Sequence, residues 1–178
     1  MASVLAELFG TAQFHVADFG CGNGHLYGFF AGRGLNLRYT GYDFSTSLLE
    51  AAHERYPGDD RVAFKEADIQ NPGMEGAPAD IVLFSHVLEM LECPGGALAA
   101  ARRLAPCIMI RFFEPPAPRH DLVALRHMEV GSNQPQVPYL RRSFDIDFYD
   151  LLLIKAGCRS VDIHQVDGDK DQIHILNF

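Results

Sequence analysis

A run of alternating glycines near the start of the chain constrains the fold more than any other feature. The run is Asp18-Phe19-Gly20-Cys21-Gly22-Asn23-Gly24, and it directly follows the apolar segment Phe14-His15-Val16-Ala17. The apolar segment predicts a buried parallel strand. Because glycine has no Cβ, the glycines allow the backbone to turn sharply out of this strand and let a flat ligand press against the main chain. The pattern therefore predicts a strand followed by a tight, ligand-binding turn.

The spacing of these glycines differs from that of the dinucleotide fingerprint of dehydrogenases. That fingerprint, G-x-G-x-x-G, would require a further glycine at position 25 or 27, where the chain has His25 and Tyr27. The motif as it stands, D-x-G-x-G-x-G, resembles the first motif of class I S-adenosylmethionine-dependent methyltransferases. A tight strand-to-helix connection that binds no ligand is the alternative interpretation of the glycines taken alone.

Strand-like and helix-like segments alternate along the chain, which is typical of a parallel sheet covered on both faces. The last two predicted strands are separated only by the turn 167–171, so they must form an antiparallel pair. We expect one α/β domain over residues 1–178, with a doubly wound, Rossmann-like, seven-stranded sheet that is mostly parallel and has an antiparallel last strand. This order resembles the methyltransferase variant of the fold. The predicted strands cover residues 14–18, 37–43, 62–66, 80–85, 107–113, 160–166 and 172–178.

Two segments stand apart from this alternation. Residues 1–13 form a short N-terminal segment where related methyltransferases often carry a longer helical lid, so the resemblance implies a lid that is shortened or supplied by a partner subunit or a second copy. Residues 114–142 hold five of the ten prolines together with Arg, His, Asn and Tyr side chains. We expect them to be irregular, with one short helix over 121–129, and to cover the acceptor pocket. Their arginines could bind a carboxylate or phosphate; a solvated loop or a dimer contact is the alternative.

Further candidate residues fall at the carboxyl ends of predicted strands, where an open parallel sheet binds its ligand. A carboxylate at Asp43 can accept hydrogen bonds from both hydroxyls of a ribose, or it could cap the next helix. Phe44 could lie against an adenine or pack in the core. The resemblance adds an adenine-binding turn after the third strand and a contact after the fourth. It implies that S-adenosyl-L-methionine is held by Asp18, Gly20, Cys21, Gly22, Asn23, Gly24, Asp43, Phe44, Ala67, Asp68, Ile69 and Ser85.

Histidine is the natural general base near neutral pH, which an acceptor that arrives protonated would need. His86 follows the fourth strand at the ligand-binding edge, and His120 and His127 lie in the 114–142 segment. These three are the candidate catalytic residues. For each of them, a surface or hydrogen-bonded core histidine is the alternative. Methyl transfer itself is an in-line displacement, so the protein mainly aligns the acceptor and excludes water.

Composition narrows the function classes. A net charge of -8 disfavours nucleic acid as a partner, and no apolar run is long enough to span a membrane. Four scattered cysteines without a C-x-x-C pair suit a reducing cytosol and disfavour a zinc or disulfide framework. We therefore expect a cytoplasmic enzyme that moves a methyl group from S-adenosylmethionine to a small-molecule acceptor.

Three other functions remain open at this level. The acceptor could be a nucleic acid or a protein, although enzymes that methylate base amino groups often carry Asn/Asp-Pro-Pro-Tyr/Phe after the fourth strand, where this chain reads Phe84-Ser85-His86-Val87. The domain could instead be a non-catalytic, cofactor-binding subunit of a methyltransferase complex. A nicotinamide enzyme is the remaining alternative.

Overall fold

The computed structural model describes residues 1–71, 73–128, 137–166 and 171–178. The strands are β1 Phe14–Phe19, β2 Leu37–Asp43, β3 Val62–Glu66, β4 Ile81–Ser85, β5 Cys107–Phe112, β6 Leu122–Met128, β7 Val137–Ser143, β8 Ser160–Gln165 and β9 Gln172–Asn177. The helices are α1 Ala2–Phe9, α2 His25–Ala31, α3 Thr46–Arg55, α4 Pro94–Leu104 and α5 Ile146–Ala156, with a 3-10 turn over Leu88–Met90.

Seven of these strands form one sheet in the order β3-β2-β1-β4-β5-β9-β8. Strands β1 to β5 pair in parallel, and β9 lies antiparallel between β5 and β8. The chain builds outward from β1 through β2 to β3, and then returns to β4 on the other side of β1. The strand order therefore reverses between β1 and β4, where such sheets bind ligands. This arrangement confirms the predicted fold class.

Both faces of the sheet are covered, which explains why the central strands are continuously apolar. Helices α4 and α5 pack on one face over side chains such as Phe84 and Ile110. Helices α1, α2 and α3 pack on the other face over side chains such as Val16 and Leu83. The N-terminal segment thus contains a helix that packs on the sheet through Val4 and Leu5. No helix in the described part of the chain is long and apolar enough to cross a membrane.

The helix ends show how local sequence sets the element boundaries. Asp145 caps α5 by accepting hydrogen bonds from the N–H groups of Asp147 and Phe148, and Gly157 ends the helix with φ 78°. Ser45 occupies the N-cap position of α3, but its hydroxyl lies near Ser47 and makes no capping bond. Asp43 accepts the Ser45 N–H instead, at 2.9 Å.

The expectation of an irregular segment with a short helix over 121–129 was wrong. Residues Leu122–Met128 form β6, which pairs antiparallel with β7 in a separate two-stranded sheet. Leu125 lies opposite Leu140 in this ladder. A stretch this short has no decisive periodicity of its own, so pairing with a distant segment determined its conformation. Glu129, also part of that expected helix, lies outside the described residues, as do positions 167–170 of the predicted terminal turn.

Candidate functional site

The glycine loop leaves β1 in a left-handed backbone conformation. Gly20, Gly22 and Gly24 have φ of 77°, 53° and 72°, a region that glycine enters at little cost. The N–H groups of Gly20 and Cys21 both donate to the Tyr42 carbonyl, at 2.7 and 3.1 Å. A Cβ at Gly20 would lie 2.7 Å from a methyl carbon of Val87. The loop is therefore tied to β2 on one side and pressed against the chain after β4 on the other.

Asp43 connects three elements at this edge of the sheet. Its Oδ2 accepts a hydrogen bond from the Gly22 N–H at 2.8 Å, and its Oδ1 accepts one from the Ser45 N–H at 2.9 Å. Its backbone carbonyl accepts the N–H of Ala67, just after β3, at 2.9 Å. The alternative role predicted for Asp43, capping the helix that follows, is therefore partly observed, because Asp43 accepts the N–H of the N-cap residue Ser45. Because each carboxylate oxygen has two lone pairs, Asp43 keeps acceptor capacity for ligand hydroxyls.

Asp18 lies beneath the glycine loop. Its residue surface is 1% exposed, and its Oδ2 accepts a hydrogen bond from the phenol of Tyr39. Burial raises the pKa of Asp18 to about 7; the Tyr39 bond opposes this shift and the charge of Asp43 adds to it. Burial likewise raises the pKa of the neighbouring Cys21 thiol. Asp18 therefore supports the loop from below, and Gly20 to Gly24 form the surface above it.

The other predicted cofactor residues occupy different environments. Phe44 is 79% exposed, so the core-packing alternative is excluded and the ring is available to stack on a planar ligand. Asp68 is exposed, and its Oδ1 accepts the Gln70 N–H at 2.9 Å. Ile69 is buried in the core on the α4 side. Two residues, Asn23 and Ser85, are partly buried.

His86 follows β4 in a strained conformation. Its φ is 58°, which among the described residues occurs at no other non-glycine position, and such strain concentrates at functional sites. Its imidazole stacks on Phe113 with ring centroids 3.5 Å apart. Its Nε2 lies 3.2 Å from Oδ2 of Asp171, which also receives Arg111 at 2.6 Å. Side chains from the ends of β4 and β5 and from the start of β9 therefore fix this imidazole.

Two carboxylates organise the turn between β5 and the β6–β7 hairpin. Glu89 is 1% exposed and accepts the N–H groups of Phe113 and Glu114, at 3.2 and 3.0 Å. Burial raises the pKa of Glu89. Glu114 accepts hydrogen bonds from Ser143, at 2.6 Å, and from Arg119. The Ser143 bond is the main cause of the lowered pKa of Glu114, and the Arg119 bond adds to it.

The β6–β7 hairpin lies over the 3-10 turn next to this edge. Arg141 of β7 lies 5.0 Å from the centre of the Phe113 ring, and one of its nitrogens is 3.9 Å from Glu114. Val123 and Leu140 face the 3-10 turn across a cavity of about 210 Å³. The hairpin thus brings an arginine to the aromatic ring on which His86 stacks.

The remaining histidines lie away from this cluster. His120 is exposed near the start of the hairpin, and His127 is exposed on β6 opposite Pro138. His15 is held by Thr40 and by the Pro78 carbonyl, and His174 is buried against Tyr149 with its pKa lowered to about 4 by burial. The structure therefore brings His86, and neither His120 nor His127, to the glycine loop.

Several residues of the site escaped the sequence analysis. Tyr39, Glu89, Phe113 and Asp171 each hold a predicted residue or the turn before the hairpin in place, as described above. Arg141, by contrast, is one of the arginines of the 114–142 segment that were predicted to bind a carboxylate or phosphate. Tyr39 lies 21 positions from its partner Asp18, and Phe113 lies 27 positions from its partner His86. Each of these pairs depends on the strand order. The one signal that the sequence offered for these residues was Glu89, an acid within an otherwise apolar turn. Arg111 and Glu114 bond other residues rather than each other.

The described residues fit S-adenosylmethionine. The loop is open at Gly22, where a Cβ would meet no atom within 4 Å, whereas the missing side chains of Gly20 and Gly24 make room for Val87 and Phe64. Asp43 lies against the open part of the loop through its bond with the Gly22 N–H, and Phe44 presents an exposed ring. The acids at this edge complement a ligand with positive charge.

Comparison with known proteins agrees with this geometry. A family model described as a methyltransferase domain matches residues 17–106. A trans-aconitate 2-methyltransferase of Methylobacterium nodulans is 31% identical over 95% of this chain and 69% of its own length. One from Paracidovorax citrulli is 28% identical over 90% of this chain and 63% of its own length.

Solved structures show the same fold. The CcbJ methyltransferase from Streptomyces caelestis has a TM-score of 0.74 at 16% identity, covering 99% of this chain and 87% of that one. The glycopeptide N-methyltransferase MtfA complexed with S-adenosyl-L-methionine has a TM-score of 0.66 at 18% identity, covering 98% and 84%.

Fold and loop together define a doubly wound α/β domain whose glycine loop lies where the strand order reverses between β1 and β4. The family match and the 31% identical relative show that the chain belongs to the class I S-adenosylmethionine-dependent methyltransferases. Its cofactor is S-adenosyl-L-methionine, as the resemblance of the glycine motif implied.

The contact between Gly20 and Val87 yields a first prediction. Gly20→Ala should destabilise the protein by about 2–4 kcal/mol, because it adds left-handed strain and a clash with Val87. Cofactor affinity should fall with it. Gly34→Ala is the matched control: its φ is 76°, but a Cβ there meets no atom within 4 Å, so only the strain of about 1 kcal/mol applies. Urea unfolding and calorimetric binding measure both effects. Rescue of Gly20→Ala by Val87→Ala is expected, and an unrescued double variant would contradict the clash.

The environment of Asp18 yields a second prediction, on pH and stability. A raised native-state pKa means that the folded protein binds this proton more tightly, so stability is lost as pH rises from about 3.8, the ordinary pKa of the carboxyl, to about 7. Asp18→Asn cannot ionise, so its melting temperature should exceed that of the wild type by a margin that widens as pH rises from 5 to about 7 and is constant above that. Thermal unfolding between pH 5 and 8.5 measures this difference. The exposed Asp60→Asn variant should follow the wild type throughout, and parallel curves for Asp18→Asn and wild type would refute the prediction.

Proposed function

We propose that this enzyme transfers the methyl group to a carboxylate oxygen of a small organic acid and so forms a methyl ester. The observation that carries this proposal is the placement of Arg141 on the aromatic ring of Phe113, beside His86 at the ligand-binding edge. The relatives named above are trans-aconitate 2-methyltransferases, and trans-aconitate is a polycarboxylate. Arginine is the side chain best suited to bind such an anion.

Charge at this edge supports an anionic acceptor. The chain as a whole carries -8, so most of its surface repels a carboxylate. Three arginines nevertheless collect around the site, Arg111 held by Asp171, and Arg119 and Arg141 near Glu114. These acids fix the guanidinium groups before the ligand arrives, which reduces the entropy lost on binding. An acceptor carboxylate can then bind the donor positions that the acids leave open.

On this proposal the cofactor lies along the glycine loop. Gly20, Cys21, Gly22, Asn23 and Gly24 contact it through their backbone, and Asp43 accepts the ribose hydroxyls. Phe44 stacks on the adenine, and Ala67 and Asp68 contact its edge through the turn after β3. Ile69 is buried and Asp18 lies under the loop, so both contribute through the backbone or by support. Ser85 contributes its carbonyl at the end of β4.

An acid acceptor changes the role of the histidine. When bound, the cofactor supplies an electrophilic methyl on a sulfonium. A carboxylic acid has a pKa near ~4, so it arrives ionised at neutral pH and no proton has to be removed. His86 then orients the carboxylate, while stacked Phe113 and the hairpin exclude water. Orientation of this kind can supply about 7–11 kcal/mol of the barrier. His120 and His127 have no part in this proposal.

The proposal includes the organisation of the chain. Residues 1–178 act as one methyltransferase domain, with α1 as the short N-terminal segment and the hairpin within 114–142 as the cover of the acceptor. Exposed apolar side chains at Leu122 and Leu125 support contact of this cover with a second copy or a partner subunit. Free cysteines at all four positions support a cytoplasmic location.

Asp43 provides the test of the cofactor site. Asp43→Ala should weaken S-adenosylmethionine binding by roughly 10–100-fold, because hydrogen bonds to a charged acceptor contribute about 1.5–3 kcal/mol. Isothermal calorimetry measures the affinity, and circular dichroism checks that the loop anchored by Gly22 has not unfolded the domain. Asp60→Ala, an exposed acid elsewhere, is the control. Equal affinities for Asp43→Ala and wild type would overturn the ribose assignment.

The acceptor is tested with trans-aconitate, other di- and tricarboxylates, and amine or hydroxyl acceptors of similar size. Radiolabelled methyl should enter only the carboxylates, and mass spectrometry should identify a base-labile methyl ester. Arg141→Gln should raise the KM for the carboxylate about 10-fold or more and leave cofactor affinity unchanged, since it removes an ionic contact to the acceptor. Arg55→Gln, exposed at the end of α3, is the control. Transfer to amines instead of acids would refute the proposal.

A further inference from the structure

A buried hydrogen bond beneath the glycine loop takes no part in the acceptor chemistry described above. The phenol of Tyr39, in the middle of β2, donates to Oδ2 of Asp18 near the end of β1. Each residue is 1% exposed. The other carboxylate oxygen, Oδ1, is buried and has no hydrogen-bond partner within the described parts of the chain. An ionised carboxylate with one unpaired oxygen is costly in such a place, because burial removes its water.

The neighbours of Asp18 make it responsive to charge brought by a ligand. Tyr39 faces it from β2, Cys21 from the glycine loop and Asp43 from the end of β2, while β4 presents the apolar Leu83 at the same level. Burial keeps the pKa of Tyr39 well above its usual value and also raises the pKa of Cys21, so both remain protonated at neutral pH.

Tyrosines also flank Tyr39 on its far side. Tyr27 and Tyr56 lie there, and burial raises the pKa of Tyr27 to about 12. Among these groups Tyr39 is the one that donates a hydrogen bond to Asp18, and it favours the ionised carboxylate. The remaining requirement for ionisation is a positive charge above the loop.

The cofactor and its product differ in that charge. S-adenosylmethionine carries a sulfonium and an ammonium group, whereas S-adenosylhomocysteine has a neutral sulfur and the same ammonium group. A positive charge close to a buried acid favours the ionised form. The glycine loop that covers Asp18 is also the surface on which we placed the cofactor, so Asp18 lies within reach of the sulfonium field.

We propose that S-adenosylmethionine binding drives the proton off Asp18, and that Tyr39 is the positioning residue that stabilises the resulting carboxylate. The inference rests on the cofactor site proposed above. The O–H bond of Asp18 breaks, its electron pair stays on the carboxylate, and the proton leaves to solvent while the phenol keeps its own. Methyl transfer removes the sulfonium charge, so Asp18 takes a proton back. The enzyme thereby binds its cofactor more tightly than its product.

The test is calorimetric. Wild-type protein is titrated with S-adenosylmethionine and with S-adenosylhomocysteine between pH 6 and 9, in two buffers of different ionisation enthalpy, which gives the number of protons released. The α-amino group of each ligand also titrates, and the sulfonium makes that of S-adenosylmethionine the more acidic. The difference between wild type and Asp18→Asn, taken for each ligand, cancels that contribution.

We expect affinity for S-adenosylmethionine to rise about tenfold from pH 6 to 8 in the wild type, because binding is linked to the ionisation of Asp18, whose pKa is about 7. The rise should be smaller for S-adenosylhomocysteine. Asp18→Asn should lose the extra proton release. Tyr39→Phe should bind several-fold more weakly at pH 7 and recover at pH 9, because the midpoint moves to higher pH. A merely structural role would weaken binding equally at every pH.

Tyr27→Phe is the matched control, since Tyr27 is a second buried tyrosine that donates to an aspartate, Asp59, away from the loop. It should keep the wild-type proton count, and thermal unfolding confirms that each variant is folded. If the difference in proton release between wild type and Asp18→Asn is the same for both ligands, or if Tyr39→Phe loses affinity equally at every pH, the inference is overturned while the cofactor site stands. Failure of wild-type protein to bind either ligand would overturn the cofactor site itself.

Discussion

The hydrogen bond from the Gly22 N–H to Asp43 is the contact on which the rest of the site depends. It ties the glycine loop to the end of β2, while the absent side chain of Gly20 lets Val87 press against the loop from β4. The loop is thus held between the two strands that flank β1. His86 directly precedes Val87 in the chain. Its left-handed backbone is held by its N–H group, which donates a hydrogen bond to the Arg111 carbonyl at 2.9 Å. The glycine loop and the edge that carries His86 are therefore parts of one packed unit.

Four carboxylates hold the other groups at this edge in position, and they differ in how deeply they are buried. Asp18 is buried and costly when ionised, Glu89 holds two backbone N–H groups, and Glu114 and Asp171 hold arginines. An enzyme that binds a cation on one side and an anion on the other needs both signs of charge within a short distance. On the proposed function the fixed acids serve both sides, because they would attract the sulfonium and they orient the guanidinium groups that would bind the acceptor.

The residues of the proposed cofactor site could largely be chosen from the sequence, whereas those of the proposed acceptor site could not. Gly20 to Gly24 and Asp43 follow strands that are continuous in sequence, so their shared edge follows from the parallel sheet alone. From the sequence, Phe44 could either stack on an adenine or pack in the core, and only the tertiary structure shows that its side chain is exposed. The hairpin over 122–143 was mistaken for an irregular stretch with a helix, because its strands are stabilised by each other rather than by local periodicity. His86 stacks on Phe113, which lies 27 positions further along the chain, and it pairs with Asp171, which lies 85 positions further.

The sequence by itself determined the alternating fold, the glycine turn and the family. These features depend on local chemistry, namely apolar runs that must be buried and backbone positions that only glycine occupies easily. The tertiary structure alone decided which acid is buried, which histidine stacks on Phe113 and which arginines pair with acids at this edge. Those outcomes depend on which strands become neighbours and on how completely water is removed from each side chain, and neither quantity is written in any single segment of the chain.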